Sequence, residues 1–222
     1  MPSDPRTIAH SPYLTSTGQI APRVTTILDE LGGEEVRGLM HWAWERGRAG
    51  EDYKKVRDIA ADVGTIAHKM IECQLTGRPF SESGYAPDDL EHARVASSQF
   101  DEWWQKQGLE LVLSEQRVVN EKHCYGGTVD LVAKNKSDKL WLIDFKTSKA
   151  VYAEYYFQVA AYKEALAEMN VLVKRVLILQ LDKSNGALHV HHISKKQLAI
   201  GWRVFKHALA IYHERRKLEG KD

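Results

Sequence analysis

Two aspartates and a lysine stand close together in the stretch between Gly126 and Tyr162. Thirteen residues separate Asp130 from Asp144, and Lys146 follows two positions later. Carboxylates bind hard cations such as Mg²⁺ through oxygen. A cation held in this way polarises a phosphate and acidifies a water, while a lysine ammonium can steady negative charge near the attacking oxygen. Brought together by the fold, these three side chains would suit metal-assisted cleavage of phosphodiesters.

The segments around these residues have the composition of paired strands. Residues 128–133 are β-branched and apolar, and residues 140–145 form a second apolar segment, so both are predicted to be strands. The polar stretch 134–139 predicts a hairpin loop between them. The glycine pair at 126–127 predicts a turn before the first strand.

Side-chain alternation then predicts where the reactive groups lie. Asp144 and Lys146 share one face of their strand, and Asp130 can lie beside Asp144 if the two strands pair. The next segment repeats apolar residues at helical spacing. Gln158 and Tyr162 are four residues apart and therefore share one face of this predicted helix.

Each feature has an ordinary explanation when it is taken alone. A strand aspartate is most often a turn or edge residue, and a Gln and a Tyr four apart are most often surface and core residues. Asp144 differs because it ends an apolar run, where a charge is costly unless it is paired or metal-bound. The joint pattern on strand, strand and helix favours a functional site.

The pattern resembles the PD-(D/E)XK nuclease superfamily, in its RecB-like exonuclease branch. That branch includes the RecB and AddB nuclease domains, the CRISPR-associated RecB-like nucleases and the mitochondrial genome maintenance exonucleases. Its motifs are Gly-x-x-x-His, Gly-x-x-Asp, Asp-x-Lys and Gln-x-x-x-Tyr. In this chain they are Gly64 to His68, Gly127 to Asp130, Asp144 to Lys146, and Gln158 to Tyr162.

The resemblance implies a fold and an activity. The expected fold class is α/β (α+β): a restriction-endonuclease-like core with a central mixed β-sheet flanked by helices, plus an N-terminal helical elaboration. The expected activity is that of a Mg²⁺- or Mn²⁺-dependent deoxyribonuclease, chiefly an exonuclease, in recombination, repair or phage DNA processing. The expected partners are DNA with a free end and a recombination or repair protein.

The resemblance also implies a set of metal ligands. His68 would bind one or two ions beside Asp130 and Asp144, and the main-chain carbonyl of Phe145 would add a ligand. Sequence physics alone would not select this histidine, because a single His on an amphipathic helix is more often a core or surface residue. Glu72, one helical turn further on, is a candidate to hydrogen-bond its ring.

Further roles follow from the same resemblance. Lys146 would position or activate the attacking water, and Gln158 and Tyr162 would orient that lysine, the site or the scissile strand. Thr147 and Lys149, just after the lysine, are candidates for contact with DNA.

Glu115 is a candidate from the preceding strand LELVLSEQRVV. The branch often carries an acid there, near the metals or the DNA. An ordinary glutamate on an edge strand is an equally good interpretation of the sequence.

Length and composition agree with one nuclease domain over residues 1–222. Charged residues make up 27% and hydrophobic residues 43%, as in ordinary globular proteins. The expected parts are an extended arm at 1–20, a helical part with His68 at 21–108, a catalytic sheet at 109–193 and a C-terminal helix at 194–222. No apolar run reaches the length of a membrane span, and no signal-peptide pattern opens the chain, so a cytoplasmic location is expected.

Net charge is only +1, so global charge does not point to nucleic acid. Local groups of basic residues could contact phosphates beside a nuclease site, although such groups are usually solvated faces. One group is expected around the site strands and the other near the C-terminus: Lys134, Lys136, Lys139, Lys146 and Lys149, and Arg215, Arg216 and Lys217.

Several other cofactors and sites are not expected. Cys73 and Cys124 are the two cysteines of the chain, too few for a four-cysteine iron–sulfur cluster. No phosphate-binding Gly-x-x-x-x-Gly-Lys-[Ser/Thr] motif is present, so ATP is not expected. His189, His191 and His192 could suggest a metal site, but an exposed strand face is favoured.

The remaining pattern predicts the elements around the site. Four tryptophans could stack on unpaired bases but are more often core residues: Trp42, Trp44, Trp103 and Trp104. The predicted helices are 24–31, 35–48, 52–75, 88–107, 152–169 and a last one from 194, and the predicted strands are 110–119, 127–134, 139–146, 172–182 and 187–193.

Two alternatives to an exonuclease stay open. A structure-specific or restriction-like endonuclease would carry the same motifs. A nucleic-acid-binding module that kept the fold without cutting would have no need of intact acidic residues and a lysine.

Overall fold

The computed structural model describes residues 11–32, 34–182 and 187–221, and it describes only the backbone at residues 34–39, 53 and 55–62. The helices are α1 Val24–Leu28, α2 Glu34–Arg48, α3 Tyr53–Thr76, α4 Pro87–Gln107, α5 Ala153–Glu168 and α6 Lys195–Leu218. The strands are β1 Tyr13–Leu14, β2 Ile20–Ala21, β3 Glu110–Asn120, β4 Tyr125–Lys134, β5 Leu140–Lys146, β6 Val173–Leu181 and β7 Leu188–His192.

A five-stranded sheet with the order β3-β4-β5-β6-β7 forms the centre of the protein. Strands β5 and β6 are parallel and are joined through α5, whereas the other neighbouring pairs are antiparallel. The mixed sheet flanked by helices confirms the expected fold class.

Helices cover both faces of this sheet. On one face, α1, α5 and α6 pack on alternating strand residues such as Leu142 and Ile178. On the other, α3 and α4 pack on the intervening residues such as Ile143 and Leu177. Because both faces are buried, β5 and β6 are almost continuously apolar, as expected for a parallel pair inside a sheet. Asp144, near the end of β5, is therefore a charged residue in an apolar layer.

The glycine pair at 126–127 lies within β4, so the predicted turn at this position is wrong. The chain turns before Tyr125 instead. A β-carbon on Gly126 would lie 2.6 Å from the Tyr13 side chain, and one on Gly127 would lie 2.5 Å from the Tyr162 ring. The two glycines thus let aromatic rings approach the strand closely rather than reverse the chain.

The segment before residue 21 was predicted to be an extended arm, and the described part of it contradicts this. Strands β1 and β2 pair as a short hairpin. Its Tyr13 is buried and its hydroxyl forms a 2.7 Å hydrogen bond with the Thr128 hydroxyl. The hairpin docks because the glycines of β4 leave room for the ring. Residues 1–10 lie outside the described residues.

Helices α5 and α6 meet at Gly201, and this contact predicts a stability effect. A β-carbon there would lie 2.6 Å from the main-chain oxygen of Tyr156. We expect Gly201→Ala to destabilise the protein by about 1–3 kcal/mol, because the backbone must move to relieve the overlap. Urea unfolding followed by circular dichroism measures the change.

Gly47→Ala is the matched control, since Gly47 is also helical and nothing lies near its missing β-carbon. It should stabilise the protein by about 0.4–1 kcal/mol through the unfolded chain. A Gly201→Ala variant as stable as wild type would contradict the close contact between α5 and α6.

Candidate active site

The site forms where β4 and β5 separate. The two strands pair from Lys134 and Leu140 as far as Leu131 and Ile143, where their register ends. Asp130 is the next residue on β4, and it accepts a 2.7 Å hydrogen bond from the main-chain N–H of Phe145. At this point a hydrogen bond to the Asp130 side chain replaces the main-chain hydrogen bonds between the strands. Both aspartates therefore lie at the opening between β4 and β5.

Asp144 is the most deeply buried of the acids, with 1% of its surface exposed. Its Oδ2 lies 2.8 Å from Nζ of Lys146, whereas Oδ1 has no hydrogen-bond partner among the described residues. Burial raises the pKa of Asp144 to about 6; Lys146 opposes this rise, and the charge of Asp130 adds to it. An unpartnered carboxylate oxygen in such a place is costly unless something positive completes it.

His68 reaches the same point from α3. Its Nδ1 lies 3.7 Å from Oδ1 of Asp130, and its ring packs edge-on against Phe145 with 5.5 Å between the ring centroids. Burial, together with the positive charge of Lys146, lowers the pKa of His68 to about 4. The imidazole is therefore neutral near pH 7, which is the form that binds metal.

Gly64 allows α3 to come this close. A β-carbon on Gly64 would lie 2.8 Å from Oγ1 of Thr147, the residue that follows β5. The glycine and the histidine of the first motif are thus linked physically: one makes room for the end of β5, and the other reaches the acids beside it.

Glu115 also turns into the site. Its neighbours on β3 pair with Val129 and Leu131, which places it opposite Asp130. Its φ of 49° lies in the left-handed region that non-glycine residues seldom adopt. Burial, with the negative charges of Asp130 and Glu72, raises the pKa of Glu115 to about 8. Sequence could not predict this backbone conformation.

These side chains fit a hard divalent cation. Ligand atoms of His68, Glu115 and Asp130 all lie within 4.8 Å of one another. The unpartnered oxygen of Asp144 supplies a further buried acceptor. Oxygen-rich sets with one imidazole suit Mg²⁺ or Mn²⁺. Burial, and after it the repulsion from neighbouring carboxylates, raises the pKa of Glu115 and of Asp144, and a cation among these acids would offset both effects.

A chain of hydrogen bonds fixes the lysine. Nζ of Lys146 donates to Oε1 of Gln158 at 3.0 Å, and Nε2 of Gln158 donates to the Tyr162 hydroxyl at 2.9 Å. Burial disfavours the charged form of Lys146, but the negative charges of Asp144 and Asp130 raise the pKa of Lys146 above its usual value. The group is therefore an ammonium that donates hydrogen bonds, not a free base.

Tyr155 was missed by sequence reasoning. Nζ of Lys146 lies 4.8 Å from the centroid of its ring, so the ammonium has an aromatic neighbour as well as Asp144. The signal was present, because Tyr155 precedes Gln158 by three residues and therefore lies on the same face of α5.

Other candidates lie differently from expectation. The carboxylate of Glu72 contacts Lys69 at 2.6 Å and Arg78 at 3.5 Å, and the ring of His68 hydrogen-bonds the main chain of Phe145. The expected hydrogen bond from Glu72 to that ring is thus not formed, since basic neighbours in α3 and the following loop hold the acid.

The expected group of lysines around the site is also wrong in part. Lys146 lies in the site and Lys149 follows it, exposed. Lys139 immediately precedes β5, seven residues before Lys146 and roughly 23 Å away along the strand. Lys134 pairs there with Glu110 at 3.1 Å. The hairpin lysines therefore lie at the opposite end of the strands, with Lys136.

The C-terminal basic run is engaged within the protein. Arg215 pairs with Glu30 at 2.7 Å, and Lys217 pairs with Glu214 at 2.9 Å. Arg216 donates to the main chain of Lys221. These contacts support the interpretation of a solvated helix end.

The tryptophans and histidines divide between core and surface. Trp103 and Trp104 pack against the core under α4, whereas Trp44 on α2 is 56% exposed. His189 and His191 project from the face of β7 opposite the core-packed Leu188 and Val190. The only group of potential metal ligands in the described ranges is the one around His68.

Comparison with known proteins identifies the family. A model of the PD-(D/E)XK nuclease superfamily matches residues 39–217, and the chain belongs to that superfamily. It is a phosphodiester hydrolase with a nucleic-acid substrate, and nucleases of this superfamily typically use divalent metal ions.

No curated protein matches the chain. A crystal structure from Eubacterium rectale, described as a candidate exonuclease, is similar with a TM-score of 0.49 and 11% sequence identity, over 72% of this chain and 69% of that one. Within the described ranges, no helix combines the length and apolar character that a membrane crossing requires.

Metal affinity should rise with pH. Glu115, with a pKa of about 8, and Asp144, with a pKa of about 6, hold protons that a cation must displace. We expect Mn²⁺ to bind more tightly as the pH rises from about 6 to about 8, with protons released at neutral pH. Calorimetric titration in buffers of different ionisation enthalpy counts those protons.

The same groups set the stability of the metal-free protein. The pKa of Glu115 is higher in the folded than in the unfolded state, so stability should fall as the pH rises from its ordinary 4.5 through about 8.

Glu115→Gln should release fewer protons on binding Mn²⁺ than wild type. Equal proton release by both proteins would show that Glu115 does not face the cation.

Proposed function

We propose that this protein is a Mg²⁺- or Mn²⁺-dependent exodeoxyribonuclease of the RecB-like branch, acting in recombination, repair or phage DNA processing. One observation carries the proposal: the buried Asp144–Lys146 pair stands beside Asp130, His68 and Glu115 at the opening between β4 and β5. This arrangement combines metal ligands and a fixed cation at one point.

The proposed roles of the site residues follow from their contacts in the site. His68, Glu115, Asp130 and Asp144 hold the metal, and the main-chain carbonyl of Phe145 is an additional candidate ligand. When bound, the metal polarises the scissile phosphate and lowers the pKa of a water.

Lys146 stays protonated, so its role is to orient the attacking water and to stabilise the negative charge that develops on the phosphate oxygens. Gln158 and Tyr162 keep that ammonium aimed at the site through the hydrogen bonds described above. The phenol of Tyr162 remains a neutral partner because burial raises its pKa well above the usual value. Thr147 and Lys149, at the exit of β5, are the proposed contacts to the DNA backbone.

The position of α3 supports an exonuclease. His68 comes from a helix that precedes Asp130 by about sixty residues, and this helix lies against the end of β5 at Gly64 and Thr147. A helix so close to the acids narrows the approach to them. A strand threaded from a free end fits such an entrance better than continuous duplex does.

A non-cleaving DNA-binding module is disfavoured by the burial of the acids. Buried carboxylates that repel one another and phosphate weaken both folding and anion binding unless a cation is used. An endonuclease retains all of the site chemistry, and the topology of the substrate distinguishes it.

Linear DNA should be degraded and covalently closed circles spared, if the entrance requires an end. End-labelled linear duplex and single-stranded DNA are compared with closed circular forms, in Mg²⁺ or Mn²⁺ and with chelator. Purified Asp144→Asn protein serves as the control for contaminating nucleases. Rapid nicking of closed circles by wild type, absent from the variant, would establish an endonuclease instead.

Substitutions of Asp144 and of Lys146 should differ in their effect on Mn²⁺ binding. Asp144→Asn should lose both cleavage and much of its Mn²⁺ affinity. Lys146→Ala should lose cleavage by on the order of a hundredfold or more, yet bind Mn²⁺ as well as wild type or better, because a neighbouring positive charge is gone.

Calorimetry of Mn²⁺ binding and single-turnover cleavage measure the two quantities. Lys136→Ala, at the far end of the strands, is the matched lysine control and should match wild type in both. Lost Mn²⁺ affinity with normal turnover in Lys146→Ala would reverse the proposed roles of the acid and the lysine.

A further inference from the structure

A second polar group lies beside the proposed catalytic lysine, on the next strand. Gln180 of β6 is paired in register with Lys146 of β5, so the two side chains leave the sheet on the same face. Only 7% of Gln180 is exposed, and its neighbours Leu179 and Leu181 are fully buried core residues. A buried amide costs stability unless its hydrogen bonds are made, so its partners indicate its purpose.

Both ends of the Gln180 amide are used. Nε2 donates to the main-chain oxygen of Ser148 at 3.0 Å. Oε1 lies 3.2 Å from Nε2 of His191, which can donate to it from β7. Because a carbonyl oxygen accepts only, the amide group must face Ser148 with its nitrogen, and this leaves its oxygen for the histidine.

The hydrogen bond to Ser148 holds the segment that leaves the site. The ladder between β5 and β6 ends at Lys146 and Gln180. The Gln180 side chain continues it for two more residues, as far as Ser148. Between these points lies Thr147, which packs against Gly64 of α3. The position of this segment is therefore tied to the lysine on one side and to the helix of His68 on the other.

We propose that Gln180, oriented by His191, is a positioning residue for the active site. It fixes the segment from Thr147 to Lys149. The Lys146 ammonium then keeps its orientation, and the side chains of Thr147 and Lys149 face the bound DNA strand. This inference rests on the proposed nuclease function. Gln180 touches neither the metal ligands nor the reacting atoms, and it acts through Ser148.

A substitution series tests this role. Gln180→Met keeps the side chain's length but removes both hydrogen bonds. Gln180→Glu keeps an acceptor for His191 but cannot donate to Ser148 when ionised. Both variants should lower kcat by on the order of ten- to a hundredfold, the usual size for a misplaced catalytic group. The Mn²⁺ affinity of Gln180→Met should stay close to that of wild type. Turnover of each variant is compared per folded molecule, because the lost hydrogen bonds and the buried charge of Gln180→Glu lower the midpoint of thermal unfolding.

Two histidine variants provide the matched comparison. His191→Gln retains a donor for Oε1 of Gln180 and should keep nearly full turnover, whereas His191→Leu should fall towards the Gln180 variants. His189→Leu, on the same strand and exposed, should behave as wild type. Wild-type turnover in both Gln180 variants would overturn the proposal. A loss of kcat fully explained by a smaller folded fraction would overturn it as well.

Amide hydrogen exchange separates this inference from the nuclease function. Faster exchange in residues 147–151 of Gln180→Met, with unchanged exchange in α5, is expected whether or not the protein cuts DNA. Unchanged exchange at 147–151 would refute the positioning role even in an active nuclease. Absence of any metal-dependent cleavage by wild type would instead refute the proposed function alone.

Discussion

The buried ion pair between Asp144 and Lys146 is the constraint on which the rest of the site depends. Its 2.8 Å contact lies in a sheet covered by helices on both faces. Moving a carboxylate and an ammonium out of water costs several kcal/mol for each ion, which mutual attraction offsets only with good geometry and further hydrogen bonds. Gln158 and the ring of Tyr155 supply those further contacts to the lysine.

The ammonium of Lys146 does not neutralise all the negative charge of the site. Asp130 and Glu115 add two more carboxylates, and Oδ1 of Asp144 has no partner among the described residues. Burial, with repulsion between these acids, raises the pKa values of Glu115 and Asp144 in the metal-free state. His68 contributes no positive charge, because burial keeps its ring neutral. A divalent cation would offset this excess of negative charge, and the strained backbone of Glu115 is consistent with such a use.

Much of this arrangement could be predicted from local sequence. The alternation of Asp144 and Lys146, and the four-residue spacing of Gln158 and Tyr162, depend on the fixed periods of strand and helix. The element boundaries agree within a few residues for the same reason. The hairpin pairing needed only the short polar loop at 134–139. Asp130 was expected beside Asp144, and it accepts a hydrogen bond from the main-chain N–H of the following residue, Phe145.

The features that the sequence did not predict depend on the three-dimensional arrangement of the chain. The glycine pair at 126–127 has the composition of a turn but serves close contacts with Tyr13 and Tyr162 from distant segments. The positive φ of Glu115 belongs to a glutamate, a residue with no preference for it. Lys134 and Lys139 are near the site in sequence, yet strand length carries them away from it.

The central claim is that one cation lies among the four ligands at the opening of β4 and β5. A crystal structure of the protein soaked in Mn²⁺, with anomalous scattering measured at the manganese edge, tests it most directly. The account predicts an anomalous peak within about 2–2.5 Å of ligand atoms of His68, Asp130 and Asp144, with Glu115 bound directly or through water. Absence of a peak there at saturating Mn²⁺, or one held by other residues alone, would contradict it.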